Sequence, residues 1–207
     1  MIDATDYYQR AKAMLYSQGF ASEITWQESV KPCDTTEHVF LREAAWVIYC
    51  SGFKEAVLRQ KFNYLSLCFF DWHSAEEISS NAESCISTAM LGFANQRKHE
   101  AIINIAKTIA KDGYDVFWGQ LKTNMLYNMA RLPYIGPITA IHLAKNLGFD
   151  LAKPDRHLVR LSQQLGFDCA QRMCEVISSK TGDSIRVIDL VLWRHAERSV
   201  KLPAEAF

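Results

Sequence analysis

The chain has 207 residues, 23 basic and 23 acidic side chains and 49% apolar residues, a length that can bury the core of one domain or two small ones. A net charge of zero gives no overall attraction to nucleic acid, so a DNA-binding face would need locally concentrated basic residues. The longest apolar-rich run, 44–53, is about half of a bilayer span, and the N-terminus lacks a secretory signal pattern, so we expect a cytoplasmic protein without membrane contact.

Hydrophobic periodicity predicts helix along almost the whole chain and no strand of convincing length. The first predicted helix, 3–18, is amphipathic, and the second, 37–50, is apolar on nearly every side, which is typical of a buried helix. The remaining predicted helices are 55–72, 82–90, 96–111, 117–130, 138–146, 156–164, 169–178 and 184–198. The expected fold class is all-α.

A tight turn at 133–137, Pro-Tyr-Ile-Gly-Pro, separates two of these helices. Gly136 lacks a Cβ, so its backbone can adopt a left-handed conformation, and Pro137 suits the first turn of a helix. The free amides of Gly136, Ile138 and Thr139 at that helix start are suited to a phosphate oxygen. An ordinary corner between two helices has the same features, so the turn alone does not decide its function.

Asp155 precedes the helix predicted at 156–164 and follows Pro154, which cannot continue a helix behind it. An N-cap aspartate is a common structural role that contributes about 1 kcal/mol of helix stability. A capped carboxylate is also held rigid, so the same residue can serve catalysis.

The hairpin LPYIGPITA (132–140), followed by the aspartate in KPDRHLVRL (153–161), resembles the helix–hairpin–helix (HhH-GPD) DNA glycosylases, the superfamily of endonuclease III and the alkyladenine glycosylases. Three further segments are similar to that superfamily: AAWVIYCSGF (44–53) to a buried helix whose end faces DNA, LGFANQRKHEAI (91–102) to a turn and basic helix, and VIDLVLWRHAER (187–198) to a closing helix.

The resemblance implies a two-subdomain helical fold with the active cleft between the subdomains. A central helical barrel with the hairpin would cover 38–150, and a discontinuous subdomain would join 1–37 to 151–207 and carry Asp155. The resemblance further implies a monomer that binds double-stranded DNA with a flipped base. No cofactor is expected, with a monovalent cation at the hairpin as the one exception left open.

The implied chemistry is hydrolysis of the N-glycosidic bond of a flipped, modified base. Asp155 would stabilise positive charge developing on the sugar and orient or deprotonate the attacking water. Bifunctional relatives carry a lysine where this chain has Ile138, so we expect no lyase activity unless another lysine, such as Lys122, supplies the amine. Lys145 is expected to be a solvated surface residue.

A basic segment supports DNA binding, because residues 96–160 contain ten Lys/Arg and five Asp/Glu, a net charge of +5. The residues expected to contact DNA are Pro133, Tyr134, Ile135, Gly136, Ile138, Thr139, Lys153 and Arg156. The aromatic residues expected in a base pocket are Trp46, Tyr49 and Phe53. The wedge glutamine of the family is replaced by Ser51-Gly52, so Gln96 or a residue of the 51–55 turn, such as Gly52, is the candidate to fill the gap left by the base.

No metal site is expected. Cys169 and Cys174 are too few for an iron–sulfur cluster, and Cys33, His38 and His195 lack the paired spacing of a zinc site. The six scattered cysteines are expected to be reduced, buried thiols.

Three functions remain open. The first is excision of a damaged base, and the second is the same chemistry on a hypermodified phage base, such as glucosylated hydroxymethylcytosine, as anti-phage defence. The third is non-catalytic DNA binding through the hairpin. Asp155 distinguishes the third function from the first two, because a module that only binds a polyanion has no use for a carboxylate.

Overall fold

The computed structural model describes residues 3–199, and the regular secondary structure of these residues is entirely helical. The α-helices are α1 Ala4–Ser17, α2 Ala21–Ser29, α3 Glu37–Cys50, α4 Glu55–Cys68, α5 Ala75–Ser80, α6 Ala82–Gly92, α7 Gln96–Asp112, α8 Tyr114–Thr123, α9 Met125–Met129, α10 Pro137–Asn146, α11 Arg156–Gln164, α12 Ala170–Thr181 and α13 Ile185–Ser199. Short 3₁₀ helices occupy Pro32–Asp34 and Phe70–Trp72. The expected all-α class is confirmed for the described residues.

Some helix boundaries differ from the sequence expectation. Helices α2 and α5 were not predicted. The helix expected over 55–72 ends as α4 at Cys68, because Phe70, Asp71 and Trp72 have φ values of 53°, 49° and 66°, which an α-helix does not accommodate. The helix expected over 117–130 is interrupted between α8 and α9, where the Asn128 side chain donates to the carbonyl of Gln120 at the end of α8 (2.9 Å).

The chain divides into two compact units, which are a terminal unit (1–32 with 144–207) and a central unit (33–143). The boundary between them falls within α10, between Leu143 and Ala144. The subdomains expected from the sequence change at 38 and 151, whereas these units change at 33 and 144.

The core of the terminal unit is built around α13. Val187, Ile188, Val191 and Leu192 are all 0% exposed and pack with apolar side chains of α1, α11 and α12. Arg186, at the start of α13, donates to the carbonyl oxygens of Gln27 (3.0 Å), Gly148 (3.1 Å) and Glu28 (3.3 Å). These bonds hold the end of α2 and the turn after α10 against the same helix.

The core of the central unit is built around α3. Eight of the 14 residues of α3 are buried, so the prediction of a buried helix at 37–50 is confirmed. The helix begins at an N-cap, Thr36, whose hydroxyl accepts the Val39 amide (3.3 Å). Helix α7 contacts α3 and buries Ile102, Ile105 and Ile109, which recur at helical spacing.

The six cysteines are free thiols. Cys68, Cys85 and Cys174 are buried as expected, whereas Cys33 and Cys169 are exposed, so burial was wrong for those two. Among residues 3–199, no helix combines the length and the apolar character needed to cross a membrane.

Gly148 is the glycine whose replacement we expect to destabilise the terminal unit most. Its φ is +91°, and an added Cβ would lie 2.9 Å from backbone atoms of Val30 and Lys31. We expect Gly148→Ala to lower the free energy of unfolding by about 3 kcal/mol, because left-handed strain and a backbone clash add. Gly182→Ala is the matched control: its φ is +78° but nothing lies within 4 Å, and its expected loss is about 1 kcal/mol. Urea denaturation measures both losses, and equal losses would contradict the clash.

Candidate functional site

Asp155 caps α11 with one carboxylate oxygen and leaves the other open. Its backbone is extended (φ −81°, ψ 172°), and Oδ1 accepts the amides of His157 (2.9 Å) and Leu158 (3.0 Å). In the described part of the chain, no hydrogen bond reaches Oδ2, and the residue is partly exposed. The carboxylate is therefore held by backbone amides at Oδ1 and receives no hydrogen bond from the described residues at Oδ2.

The segment that leads into Asp155 is irregular but fully hydrogen bonded. The Ala152 amide donates to Gln171 Oε1 (2.8 Å), and the Lys153 amide donates to Asp189 Oδ1 (2.7 Å). The Asp155 amide donates to the Lys153 carbonyl (2.8 Å). Since Pro154 has no N–H, every amide donor from 152 to 155 has an acceptor.

Asp189 is a buried carboxylate that sequence reasoning missed. It is 1% exposed, and its Oδ2 forms an ion pair with Lys145, which is 6% exposed. The expectation that Lys145 is a solvated surface residue is therefore wrong, because this ammonium balances a buried charge. Burial raises the pKa of Asp189, and the Lys145 ammonium opposes that rise. The position of Asp189 within the apolar run VIDLVL was the signal available in the sequence.

The hairpin reverses the chain at Tyr134 rather than at Gly136. Tyr134 has φ +65°, whereas Gly136 is not among the residues with positive φ, so the hairpin does not use the left-handed conformation that a glycine at 136 would allow. What Gly136 supplies is space, since nothing lies within 4 Å of the position that its Cβ would occupy. Helix α10 begins at Pro137, one residue before the expected 138–146, with the proline in its first turn as expected, and the Gly136 carbonyl accepts the Ala140 amide (2.8 Å).

The hairpin residues differ in exposure. Ile135 is 3% exposed and anchors the turn in the core, and its amide donates to the Leu132 carbonyl (3.0 Å), so its side chain is not available to a ligand. Tyr134 (44%) and Ile138 (49%) are exposed, and Pro133 and Thr139 are partly exposed. The amides of the first turn of α10 have no partner within that helix, which keeps them suited to an anionic oxygen.

Lys98 is a buried cation in the central unit. Its Nζ is fully ligated by the carbonyl oxygens of Ile48 (2.7 Å), Tyr49 (2.8 Å) and Ser51 (2.6 Å) at the end of α3, and the residue is 0% exposed. Burial lowers the pKa of Lys98 to about 8, which leaves the ammonium form dominant at neutral pH. Three carbonyl acceptors match the three N–H donors of an ammonium and the negative end of the α3 dipole.

Three aromatic rings surround the same ammonium. Its Nζ lies 4.7 Å from the ring centre of Phe53, 5.3 Å from that of Tyr134 and 6.0 Å from that of Phe93. The turn after α3, the turn before α7 and the hairpin therefore converge on Lys98. Phe53 packs on Phe93 (ring centres 4.9 Å apart) and is still 45% exposed.

The three residues expected in a base pocket have different environments. Tyr49 is 0% exposed, and its hydroxyl bonds to His99 Nδ1 (2.7 Å), so the structure places it in the core rather than on an accessible face. Trp46 is partly exposed, with the Arg59 guanidinium 5.7 Å from its ring centre. Phe53 keeps the most accessible ring of the three.

The two expected wedge residues offer little to fill a gap. Gly52 has no side chain and has φ +77° with open space around the position of a Cβ. The exposed Gln96 donates to Glu100 on the same helix (2.7 Å). The exposed aromatic side chain of the 51–55 turn is Phe53.

The basic segment is less exposed than its sequence indicates. Lys98 and Lys145, two of its ten Lys/Arg, are buried and engaged inside the protein. Arg156 is exposed and Lys153 is partly exposed. Across residues 3–199, no group of three or more His, Cys, Asp or Glu side chains is arranged to hold a metal ion.

Comparison of the chain with protein-family models, with curated proteins and with solved structures gives no match in any of the three. The function is therefore inferred from the residues of this chain.

We expect Lys98→Met to lower the free energy of unfolding by about 3 kcal/mol, because three carbonyl groups lose a charged donor. The matched control is Lys107→Met on the exposed side of the same helix, for which a change within about 0.5 kcal/mol is expected. Urea denaturation at pH 7 measures both. A loss for Lys98→Met no larger than the control would show that the ammonium does not hold the end of α3.

Proposed function

We propose that this chain is a monofunctional helix–hairpin–helix DNA glycosylase that acts as a monomer on double-stranded DNA, flips a modified base and hydrolyses its N-glycosidic bond. The observation that carries the proposal is the carboxylate of Asp155, which is held at Oδ1 by two α11 amides while Oδ2 receives no bond from the described residues. A cap alone needs one oxygen. The second oxygen is available for the sugar or for water.

The reaction breaks the bond between C1′ of the sugar and the base nitrogen, and the electron pair leaves with the base. The positive charge that develops on the sugar is stabilised by the ionised Asp155. Water adds its oxygen to C1′ and gives a proton to Asp155, which can return it to the leaving base. Ile138 provides no amine for a Schiff base, so the product is an abasic site in an intact strand.

DNA binding is assigned to the amides of 136, 138 and 139, with Tyr134 and Ile138 as exposed contacts beside them. Lys153 and Arg156 add positive charge on either side of Asp155. One DNA segment must reach both the hairpin and Asp155, which the proposed two-subdomain glycosylase arrangement would provide. A monovalent cation at the hairpin is part of the same proposal.

Phe53 is the side chain that we assign to stacking on unpaired bases, with Trp46 as a second aromatic contact. Its ring is 45% exposed and is supported from behind by Phe93 and the Lys98 ammonium. Stacking on an aromatic side chain is worth about 1–3 kcal/mol per base. The support matters because a ring held in place loses little entropy on contact.

The substrate class is a damaged base first and a hypermodified cytosine second. The second candidate draws on the exposed turn at Gly52, beside Phe53, where nothing lies within 4 Å of the position of a Cβ, so this turn does not itself obstruct a bulky substituent such as a sugar. The same chemistry would then act on phage DNA in defence rather than on damage in repair.

Base release from a panel of oligonucleotides tests the proposal. The panel carries uracil, alkylated purines, 8-oxoguanine, and methylated, hydroxymethylated and glucosylated cytosine. We expect release from at least one base, with strand cleavage only after alkali, and a loss of about 10²–10⁴-fold in Asp155→Asn. Asparagine caps a helix as well as aspartate does, so this variant should keep its fold.

Asp168→Asn is the matched control, because Asp168 is an exposed carboxylate of the same unit. Its rate should equal that of the wild type. Strand cleavage without alkali, together with borohydride trapping of the enzyme on DNA, would overturn the monofunctional assignment. Lys122 would then be the first candidate for the amine that forms the Schiff base. No release from any base, with unchanged or tighter DNA binding by Asp155→Asn, would identify a binding module instead.

The open space at Gly136 gives a second test. We expect Gly136→Ala to fold normally, because its φ is not positive and nothing lies within 4 Å of a Cβ there. The added methyl group should weaken DNA binding about tenfold, since it meets the phosphate that approaches the hairpin amides. Gly119→Ala on α8 also faces open space and should bind like the wild type. Equal affinities for the wild type and the two variants would show that the hairpin is not part of the DNA interface.

A further inference from the structure

Asp189 joins α13 to two segments of the terminal unit, at Lys145 and Lys153, which lie 44 and 36 residues earlier in the chain. From α13, it pairs with Lys145 near the end of α10 through Oδ2 and accepts the Lys153 amide through Oδ1 (2.7 Å). Both ionic side chains are almost completely buried. The proposed chemistry uses neither of them, so their retention in the core needs a separate reason.

Stability does not supply that reason. Taking two charges out of water has a desolvation cost that can equal or exceed their attraction, and a well-packed apolar pair is often as stable or more so. An apolar pair would leave the Lys153 amide without an acceptor. What the carboxylate provides, and an apolar side chain lacks, is the hydrogen bond to that amide.

The Lys153 amide lies two residues before Asp155. Pro154 between them has a fixed φ and no N–H, so it transmits the position of Lys153 and makes no amide hydrogen bond of its own. The Asp155 amide in turn donates to the Lys153 carbonyl (2.8 Å). The peptide groups of Lys153 therefore fix where the backbone enters α11 and where the carboxylate of its N-cap, Asp155, points.

We infer that Asp189 is a positioning residue for Asp155, acting through the Lys153 amide, and that Lys145 is present to neutralise it. This inference rests on the proposed glycosylase function. A misplacement of about 1 Å at a reacting group can reduce a rate by about 10²-fold. A hydrogen bond that fixes the backbone two residues before the Asp155 carboxylate can therefore control catalysis.

Two double variants separate positioning from stability. Lys145→Gln/Asp189→Asn removes both charges but keeps an oxygen for the Lys153 amide, and its two amide side chains can bond to each other. Lys145→Met/Asp189→Leu also removes both charges but leaves the Lys153 amide without an acceptor. Both replace the original side chains with ones of similar size, so circular dichroism and urea denaturation should show folded proteins.

The readouts are the single-turnover rate of base release and the Kd for substrate DNA. We expect the amide pair to retain a rate within about threefold of the wild type and the apolar pair to lose at least about 30-fold, with both Kd values within about threefold. Equal rates for the two double variants would overturn the positioning role. A folded amide pair that has lost activity would also overturn it, whether or not the apolar pair folds.

Hydrogen exchange at the Lys153 amide tests the inference without any reaction. Exchange should be slow in the wild type and the amide pair and at least about tenfold faster in the apolar pair. If no base is released by the wild type, the glycosylase function fails, while this exchange pattern still reports whether Asp189 holds the segment. Equal exchange in all three proteins would overturn the positioning role even if the enzyme is active.

Discussion

The cost of burying charge is the constraint on which both units depend. A buried ammonium or carboxylate is tolerated only when all its hydrogen-bonding positions are matched, so it forces its surroundings into one geometry. Lys98 imposes such a geometry on the central unit, because three carbonyl groups and three aromatic rings from separate turns contact its Nζ. Asp189 imposes it on the terminal unit through Lys145 and the Lys153 amide. Irregular segments that carry candidate chemistry are thereby made rigid.

This burial of charge bears on the proposed DNA binding. Lys98 and Lys145 contribute to the basic segment in the sequence but not to its surface. In the proposed function, attraction to phosphate then depends more on the amides at the start of α10 and on exposed side chains such as Arg156. Contacts of this kind depend on position rather than on total charge, which is consistent with a chain whose net charge is zero.

Local sequence signals predicted the parts of the candidate site that depend on a few neighbouring residues. Asp155 caps α11 and Pro137 lies in the first turn of α10 as expected, because capping and helix initiation involve only adjacent backbone groups. The conformation of the hairpin could not be predicted from such local signals. The positive φ lies at Tyr134, whose ring packs over the Lys98 ammonium, and no local preference indicates that a tyrosine should adopt it.

The sequence by itself determined the all-α class, the buried character of α3 and the placement of Asp155 at the head of a helix, because periodicity and capping are properties of short segments. Only the tertiary structure decided which charged residues are internal and which aromatic rings are accessible. In the sequence, Lys98, Lys145 and Asp189 cannot be distinguished from exposed charged residues, because the segments that bury them are distant along the chain. Burial is a property of the packed chain, and so the pairing of Asp189 with Lys145 and with the Lys153 amide, two residues before Asp155, became evident only in three dimensions.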